Sequence, residues 1–309
     1  MKNFMIGQYG KFDQEKYARD FQEGFYGIEA CLLESEEDIQ LLQRESRAKG
    51  FVIGVHFPLR AGQSVLRDAL FMASDDQTRA EALGLIEREL KYMASIQPTY
   101  VLFHYPKPVI LDDRVDWRIW RFYDPREYVW EHAYTEAEFQ QRSEQLFAWL
   151  AEKGKEFHFT PVLEFDALNR YVYETEFLEQ ILQKYPTIKL CLDTGRLFLQ
   201  EKIDPFFDAR TVINKYGKYA WSIHLKSMKA TADTVECLHY PVLPECKPED
   251  GWAPIADYLM IVRKENPRVK IMFEHRSDLV TDEQLDSCYR WVKQLLAEPH
   301  ESSSSNSSI

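Results

Sequence analysis

The chain alternates short, almost wholly apolar runs with longer segments in which apolar residues recur every three or four positions. The short runs have the length and the continuous apolar character of strands that are covered on both faces, as in a parallel sheet. Eight strands are predicted in this way, and they span Phe4–Gly7, Tyr26–Leu32, Phe51–His56, Thr99–His104, Phe159–Glu164, Ile188–Asp193, Ala220–Leu225 and Val269–Glu274.

The longer segments carry the pattern of amphipathic helices. Thr135 and Thr281 each stand three residues before a Glu or Gln, which is the spacing of a helical capping box. Gly154 is predicted to end the helix that begins after Thr135. A further helix, within residues 77–96, is expected to pack on the sheet through Ala80, Leu83, Ile86, Leu90 and Met93.

Eight strands that are each followed by a helix predict an α/β protein, a (β/α)8 TIM barrel. An open doubly wound sheet is the alternative. The sequence contains neither the G-x-G-x-x-G pattern nor the P-loop pattern that would favour such a sheet. We assign residues 1–297 to the barrel and expect the serine-rich tail, residues 298–309, to be disordered.

A long segment after the fourth predicted strand does not follow the alternation. It runs from Lys107 to Tyr134 and is rich in aromatic and arginine side chains. Long loops are often functional, so a structural and a functional interpretation of this segment both stay open. The insert packs on the barrel rim or on a neighbouring subunit, which would make the protein a homodimer, or it forms a lid or wall of a substrate site.

The composition narrows the classes of partner and compartment. A net charge of −12 and a pI near 5.3 disfavour nucleic acid and anionic membranes as main partners. The five cysteines are scattered and form no C-x-x-C pair, which indicates a reducing compartment rather than a disulfide framework. No apolar run is long enough for a signal peptide or a membrane span, so we expect a cytoplasmic protein.

Candidate chemistry is concentrated at the ends of six consecutive predicted strands, the third to the eighth. In a TIM barrel the carboxyl ends of the strands form the active site. Carboxylates that converge in one cleft repel one another, and a divalent cation relieves that repulsion. Mixed nitrogen and oxygen donors suit Zn²⁺, Mn²⁺, Fe²⁺ or Co²⁺ better than an all-oxygen calcium site. The six residues are His56, His104, Glu164, Asp193, His224 and Glu274.

The strand ends resemble those of the xylose isomerase-like TIM-barrel superfamily, which includes sugar isomerases and epimerases and the endonuclease IV branch. The resemblance covers residues 1–296 and rests on the segments YGIEACL, HFP, VLFH, VLEF, LDTGR, IHLK and FEH. It implies a metal site formed by Glu164, Asp193, His224 and Glu274. It also implies that Glu164 and Glu274 are the catalytic carboxylates beside the carbon that loses and regains a proton.

Additional metal ligands of the endonuclease IV branch are only partly matched. His56, His104 and Glu164 match its second metal site, and His239 matches a histidine of its third. Arg196 stands where that branch has another histidine, and Cys237 stands where it has an aspartate. A complete trinuclear centre is therefore not expected.

Two cationic residues at the same rim also enter the candidate site. Arg196 either binds a phosphate or carboxylate of the substrate or pairs with Asp193 or a neighbouring acid. Lys226 follows His224, as a lysine often does in the superfamily. The aspartate that often comes next in the superfamily is Ser227 here, so a supporting contact is missing.

These features predict a metal-dependent isomerase or epimerase that acts on a sugar, a sugar phosphate or a similar small polyol. Zn²⁺ or Mn²⁺ is the expected ion, with Mg²⁺, Fe²⁺ and Co²⁺ as alternatives. Two other functions stay open. One is an endonuclease IV-like phosphoesterase that acts on abasic DNA, and the other is a barrel that binds metal without catalysis.

Overall fold

A computed structural model describes residues 1–297, and the predicted tail lies outside the described residues. Twelve strands are formed within them. They are β1 (Phe4–Tyr9), β2 (Gly27–Cys31), β3 (Val52–His56), β4 (Tyr100–Tyr105), β5 (Val109–Leu111), β6 (Tyr128–Trp130), β7 (Thr160–Phe165), β8 (Lys189–Asp193), β9 (Ala220–Leu225), β10 (Ser227–Ala230), β11 (Val235–Tyr240) and β12 (Lys270–Phe273).

Eight of these strands close into a parallel barrel in the order β1-β2-β3-β4-β7-β8-β9-β12, with β12 hydrogen-bonded to β1. They correspond one for one to the eight predicted strands, so the predicted (β/α)8 barrel is confirmed. The register places His104 beside Glu164 and Asp193 beside His224. Neighbouring strands therefore end at one height, which brings their terminal side chains to one rim.

Helices surround the barrel and cover the outer faces of the strands. They are α1 (Gln14–Asp20), α2 (Glu36–Lys49), α3 (Asp76–Met93), α4 (Glu136–Phe157), α5 (Arg170–Tyr173), α6 (Phe177–Lys184), α7 (Thr194–Ile203), α8 (Ala209–Tyr216), α9 (Ile255–Glu265) and α10 (Asp282–Leu296).

The predicted helix starts are well placed, but two details of the helices differ from the prediction. Thr281 caps α10 in a complete capping box with Gln284, and Thr135 caps α4. However, α4 does not end at Gly154. It continues to Phe157, and His158 caps it in the left-handed conformation with φ of 59°. In α3, Ala80 is exposed, and Ala82 and Leu85 are buried in its place.

The barrel interior below the rim is filled by a small apolar cluster that includes Tyr100, Met5 and Cys191. Gly54 on β3 makes room for Tyr100, because a Cβ at Gly54 would lie 2.3 Å from atoms of the tyrosine ring. The absence of a side chain on β3 thus allows a tyrosine from β4 to cross the barrel. A much larger apolar core lies between the strands and the surrounding helices.

The segment between β4 and α4 forms a small structure of its own. Strands β5 and β6 pair in parallel, and Trp117 and Trp120 are buried while Tyr123 is almost fully exposed. The segment contacts residues after β7, since Glu131 pairs with Arg170. It therefore packs on the rim near β7, and its predicted roles as a lid or a subunit contact stay predictions.

Two further observations concern the predicted compartment and partners. None of the helices within residues 1–297 combines the length and the apolar character needed to cross a bilayer. All five cysteines are free thiols.

Candidate active site

The structure brings the predicted metal-binding residues together at the carboxyl ends of four strands. Glu164, Asp193, His224 and Glu274 each offer a donor atom, and these four atoms lie within 4.8 Å of one another. The first three side chains are buried, whereas Glu274 remains partly exposed at the edge of a cavity. Four donors from separate strands thus face one point.

Asp193 ends β8 and also begins α7. Its Oδ1 atom accepts hydrogen bonds from the backbone N–H groups of Gly195 and Arg196, so the carboxylate caps the helix. This leaves Oδ2 directed toward the other site residues. The apolar strand β8 thus ends on a carboxylate whose Oδ1 atom caps α7 and whose Oδ2 atom faces the quartet.

Three donor atoms of this quartet have the environment expected of metal ligands. Glu164 Oε2, Asp193 Oδ2 and His224 Nδ1 are buried and have no hydrogen bond of regular geometry to a described residue, although Asp193 Oδ2 lies 2.7 Å from Lys226 Nζ and Glu164 Oε2 lies 2.9 Å from His104 Nε2. His224 Nδ1 lies only 2.9 Å from Glu164 Oε1, yet the two groups are not aligned as a hydrogen bond. One imidazole nitrogen and two carboxylate oxygens form a donor set that suits a divalent cation.

The charge of the surrounding cluster also fits a cation. Seven carboxylates lie in and around the quartet, against four cationic side chains, so negative charge is in excess before any histidine is protonated. The carboxylates are Glu29, Asp68, Glu127, Glu164, Asp166, Asp193 and Glu274, and the cationic side chains are Arg67, Lys107, Arg196 and Lys226.

Lys226 supplies the positive charge nearest to the quartet. Its Nζ atom lies 2.7 Å from Asp193 Oδ2 and 2.7 Å from Glu274 Oε2. Gly195 allows this approach, because a Cβ there would lie 2.9 Å from Cε of Lys226. The ammonium therefore holds the two carboxylates that end β8 and follow β12 at a fixed separation.

Glu29 is a site residue that the strand-end pattern did not identify. It is fully buried on β2 and accepts hydrogen bonds from Tyr9 and Tyr100, at 3.1 and 2.7 Å. Its Oε2 atom also lies 3.2 Å from His224 Nε2. Burial alone would raise the pKa of Glu29, but His224 and His56 outweigh burial and lower the pKa to about 2. Glu29 therefore fixes the ring of His224 with Nδ1 toward the quartet.

His56 and His104 lie beside Glu164, as predicted. Their Nε2 atoms are 3.1 Å apart, and they lie 3.5 and 2.9 Å from Glu164 Oε2. Asp68 Oδ2 lies 2.8 Å from His104 Nδ1. Burial lowers the pKa of His104, but the Asp68 carboxylate outweighs this effect, and the pKa is raised above its ordinary value.

Two guanidinium groups lie at the outer side of this histidine pair. Arg67 Nη2 is 3.0 Å from His56 Nε2, and Arg196 Nη2 is 3.3 Å from His104 Nε2. Arg196 also pairs with Asp166 and lies 3.4 Å from Asp193 Oδ2. The ion-pair interpretation of Arg196 thus agrees with its contacts.

Behind the histidines, Lys107 joins the site to the segment after β4. Its buried ammonium lies 2.9 Å from Asp68 Oδ2 and 2.8 Å from Asp166 Oδ2. Of these residues, only Asp166 could have been found from the sequence, because it follows Glu164 by two positions at the same strand end. Arg67 and Asp68 lie in a loop between β3 and α3, where no strand-end pattern applies.

His239 lies apart from the groups of donor atoms that the structure brings together. It sits on β11 in the left-handed conformation, with φ of 52°, and its Nδ1 atom is 3.2 Å from the backbone oxygen of Glu274. No metal-ligand group among residues 1–297 includes it. His239 lines the cavity instead.

The site opens into a cavity of about 600 Å³ on the side of β1, β2 and β12. Tyr9, Arg67, His239 and Glu274 line this cavity, whereas His56, His104 and Glu164 lie behind it. A small molecule in the cavity would therefore reach Glu274 and Arg67 first.

No protein-family model matches the sequence, and no curated protein matches it. Solved structures match over nearly the whole chain. The 3-keto-D-glucoside 4-epimerase YcjR from E. coli is 12% identical, with a TM-score of 0.58 over 94% of this chain and 99% of its own. The IolI protein with a bound zinc atom is 10% identical, with a TM-score of 0.59 over 95% and 98% of the two chains.

A xylose isomerase domain containing protein from Salmonella typhimurium LT2 is 12% identical, with a TM-score of 0.54 over 96% of this chain and 98% of its own. The matches agree with the closed parallel barrel. The chain therefore has the fold of the xylose isomerase-like TIM barrels.

Proposed function

We propose that this protein is a divalent-metal-dependent isomerase or epimerase that acts on a sugar or a related small polyol. The observation that carries the proposal is the quartet of Glu164, Asp193, His224 and Glu274, whose four donor atoms lie within 4.8 Å of one another at the ends of four strands. Similar structures support the class of reaction, since YcjR is a sugar epimerase and IolI binds zinc.

When bound at the quartet, a divalent ion would polarise a substrate carbonyl or hydroxyl and so acidify the neighbouring C–H bond. Glu274 is the better placed of the two predicted catalytic carboxylates to take that proton, because it lines the cavity. Lys226 keeps Glu274 ionised and oriented through its contact of 2.7 Å. The deprotonated carboxylate can then act as a general base.

Glu164 is the second carboxylate at the same point and lies behind the cavity. A proton that one carboxylate removes from carbon can be returned to the neighbouring carbon, which gives isomerisation. Epimerisation results when the other carboxylate, in its protonated form, delivers its own proton to the opposite face of the same carbon. Two carboxylates at one site thus accommodate both reactions, and His224 is held with Nδ1 toward them.

The replacement Glu274→Gln tests this assignment. We expect turnover of a panel of aldoses and ketoses to fall by about a hundredfold or more, because a general base contributes roughly 10²–10⁴ to the rate. Retention of metal after dialysis should also weaken, since one charged ligand is lost. Elemental analysis and a coupled sugar assay measure the two effects.

Glu249→Gln serves as the matched control, because Glu249 is exposed in the turn after β11. The control should keep both activity and metal. Normal turnover by the Glu274→Gln protein would contradict the proposed mechanism.

A phosphoesterase of the endonuclease IV type is the second candidate, and the close approach of His56, His104 and Glu164 favours it. Nicking of an oligonucleotide with one abasic site distinguishes the two activities. A barrel that binds metal without catalysis would retain one ion and turn over neither the sugars nor the oligonucleotide.

A further inference from the structure

Arg67 and Arg196, the two arginines beside His56 and His104, differ in how many carboxylates they contact. Arg196 contacts two carboxylates, those of Asp166 and Asp193. The nearest carboxylate oxygen to Arg67 belongs to Asp68, and it lies 3.9 Å from Nε. A guanidinium has five N–H donors, so Arg67, which among the described residues hydrogen-bonds only to His56, has more unpaired donors than Arg196.

The unpaired N–H donors of Arg67 lie at the cavity. Its Nε atom is buried and makes no hydrogen bond to any residue within 1–297, yet about a third of the side chain is exposed. The residue lines the same cavity as Glu274. A ligand that touches the catalytic carboxylate can therefore also touch the guanidinium.

The contact between Arg67 and His56 opposes a second metal ion at the histidine pair. The Nε2 atom of His56 accepts a hydrogen bond from Arg67 Nη2 at 3.0 Å, because a guanidinium can only donate. The lone pair that would bind a metal is thus engaged by a cation. A dication there would also face the charge of Arg196, 3.3 Å from His104 Nε2.

The rest of the cavity lining is compatible with a negatively charged ligand. Five lysine and arginine side chains line it against four carboxylates, although the chain as a whole has a net charge of −12. The cavity lining is therefore close to neutral in an acidic chain, so it does not exclude an anionic ligand.

We propose that the substrate carries an anionic group, a carboxylate or a phosphate, and that Arg67 binds it while the reacting carbons lie at Glu274. This inference rests on the proposed function, because it names the class of substrate for the same site. Arg196 is paired with Asp166 and lies beside His104, and Arg67 makes the specific contact with the anionic group.

The test uses the full-length protein loaded with one metal ion. Calorimetric titration compares three probes: D-glucose 6-phosphate, D-glucuronate and D-glucose. We expect at least one anionic probe to bind about tenfold or more tightly than glucose. A preference for the phosphate or for the carboxylate identifies which anionic group the site takes.

Arg67→Gln should remove most of that preference, with a loss of about ten- to a hundredfold in affinity for the anionic probe and little change for glucose. Arg276→Gln is the matched control, because Arg276 lines the same cavity but is paired with Asp278. The control should retain the preference.

Two results would overturn the inference: equal affinity of the wild-type protein for charged and neutral probes, or an unchanged preference in the Arg67→Gln protein. Circular dichroism and elemental analysis of each variant separate these results from a loss of folding or of metal. Failure of the wild-type protein to retain metal would instead contradict the proposed function.

Discussion

At the scale of single residues, Glu29 shows what a strand-end pattern misses. The sequence places it in the middle of the second apolar run, so a search for charged strand ends passes over it. In the barrel its side chain points inward and meets Tyr9, Tyr100 and His224. The six predicted strand-end residues all reach the site, because parallel strands in register end at one rim. The contacts of Glu29 depend on strands that are far apart in sequence.

Glu29→Gln should weaken metal retention by about ten- to a hundredfold, which is the usual effect of replacing a group that orients a metal-binding histidine. The side-chain amide of glutamine accepts hydrogen bonds through its oxygen only. Its NH2 group would therefore face a tyrosine hydroxyl or the His224 ring N–H, which donates to the carboxylate in the wild-type protein. Competition with a fluorescent chelator measures the affinity. Ile28→Val on the same strand should cost about 1 kcal/mol of stability and leave metal affinity unchanged.

Lys226→Met should affect the metal-free protein more than the metal-loaded protein. Its removal leaves the buried carboxylates of Asp193 and Glu274 without their shared ammonium, which should cost about 3 kcal/mol of stability. Added metal should restore most of this loss. Chemical unfolding with and without the ion measures both values, and an equal loss in the two states would show that the quartet does not hold the ion.

At the scale of elements, the sequence predicted the strands well because buried parallel strands are short and continuously apolar. Helix ends were harder, and Gly154 shows why. A glycine near the end of an amphipathic segment suggests a stop, yet α4 continues for another three residues. Gly154 is needed for packing, since a Cβ there would lie 2.9 Å from the ring of Pro161 on β7. Contact with a strand, rather than backbone conformation, accounts for this glycine.

Gly54→Ala tests the same principle inside the barrel. The new methyl group would overlap the ring of Tyr100, so we expect a loss of about 1–3 kcal/mol or more in the free energy of unfolding. Gly84→Ala on α3 is the control. A Cβ there meets only Arg88, at 3.5 Å, and alanine favours the helix by about 1 kcal/mol. Equal stability of the two variants would contradict the packing described for Tyr100.

At the scale of the whole molecule, the barrel gathers an excess of negative charge around the quartet, whereas the lining of the adjacent cavity is close to neutral. Composition alone could not predict this difference, because a net charge of −12 says nothing about its distribution. The predicted homodimer stays a prediction.

Metal content provides a test at this scale. We expect one divalent ion per chain at saturation, because Arg67 and Arg196 occupy the open side of His56 and His104. Removal of the ion by a chelator should lower the melting temperature, since a ligand that binds only the native state stabilises it. Elemental analysis that gave three ions per chain would favour the endonuclease IV-like alternative.

The two catalytic carboxylates differ in solvent exposure, and this difference affects the fate of a deuterium label on the substrate. The side chain of Glu164 is 1% exposed and that of Glu274 is 12% exposed. Where one carboxylate both removes and returns the proton, as in isomerisation, a deuterium atom taken from the substrate by Glu164 would be returned to carbon before it mixed with water. One taken by Glu274 would exchange with the solvent in the cavity. The proportion of label that survives a turnover therefore reports which carboxylate removed it.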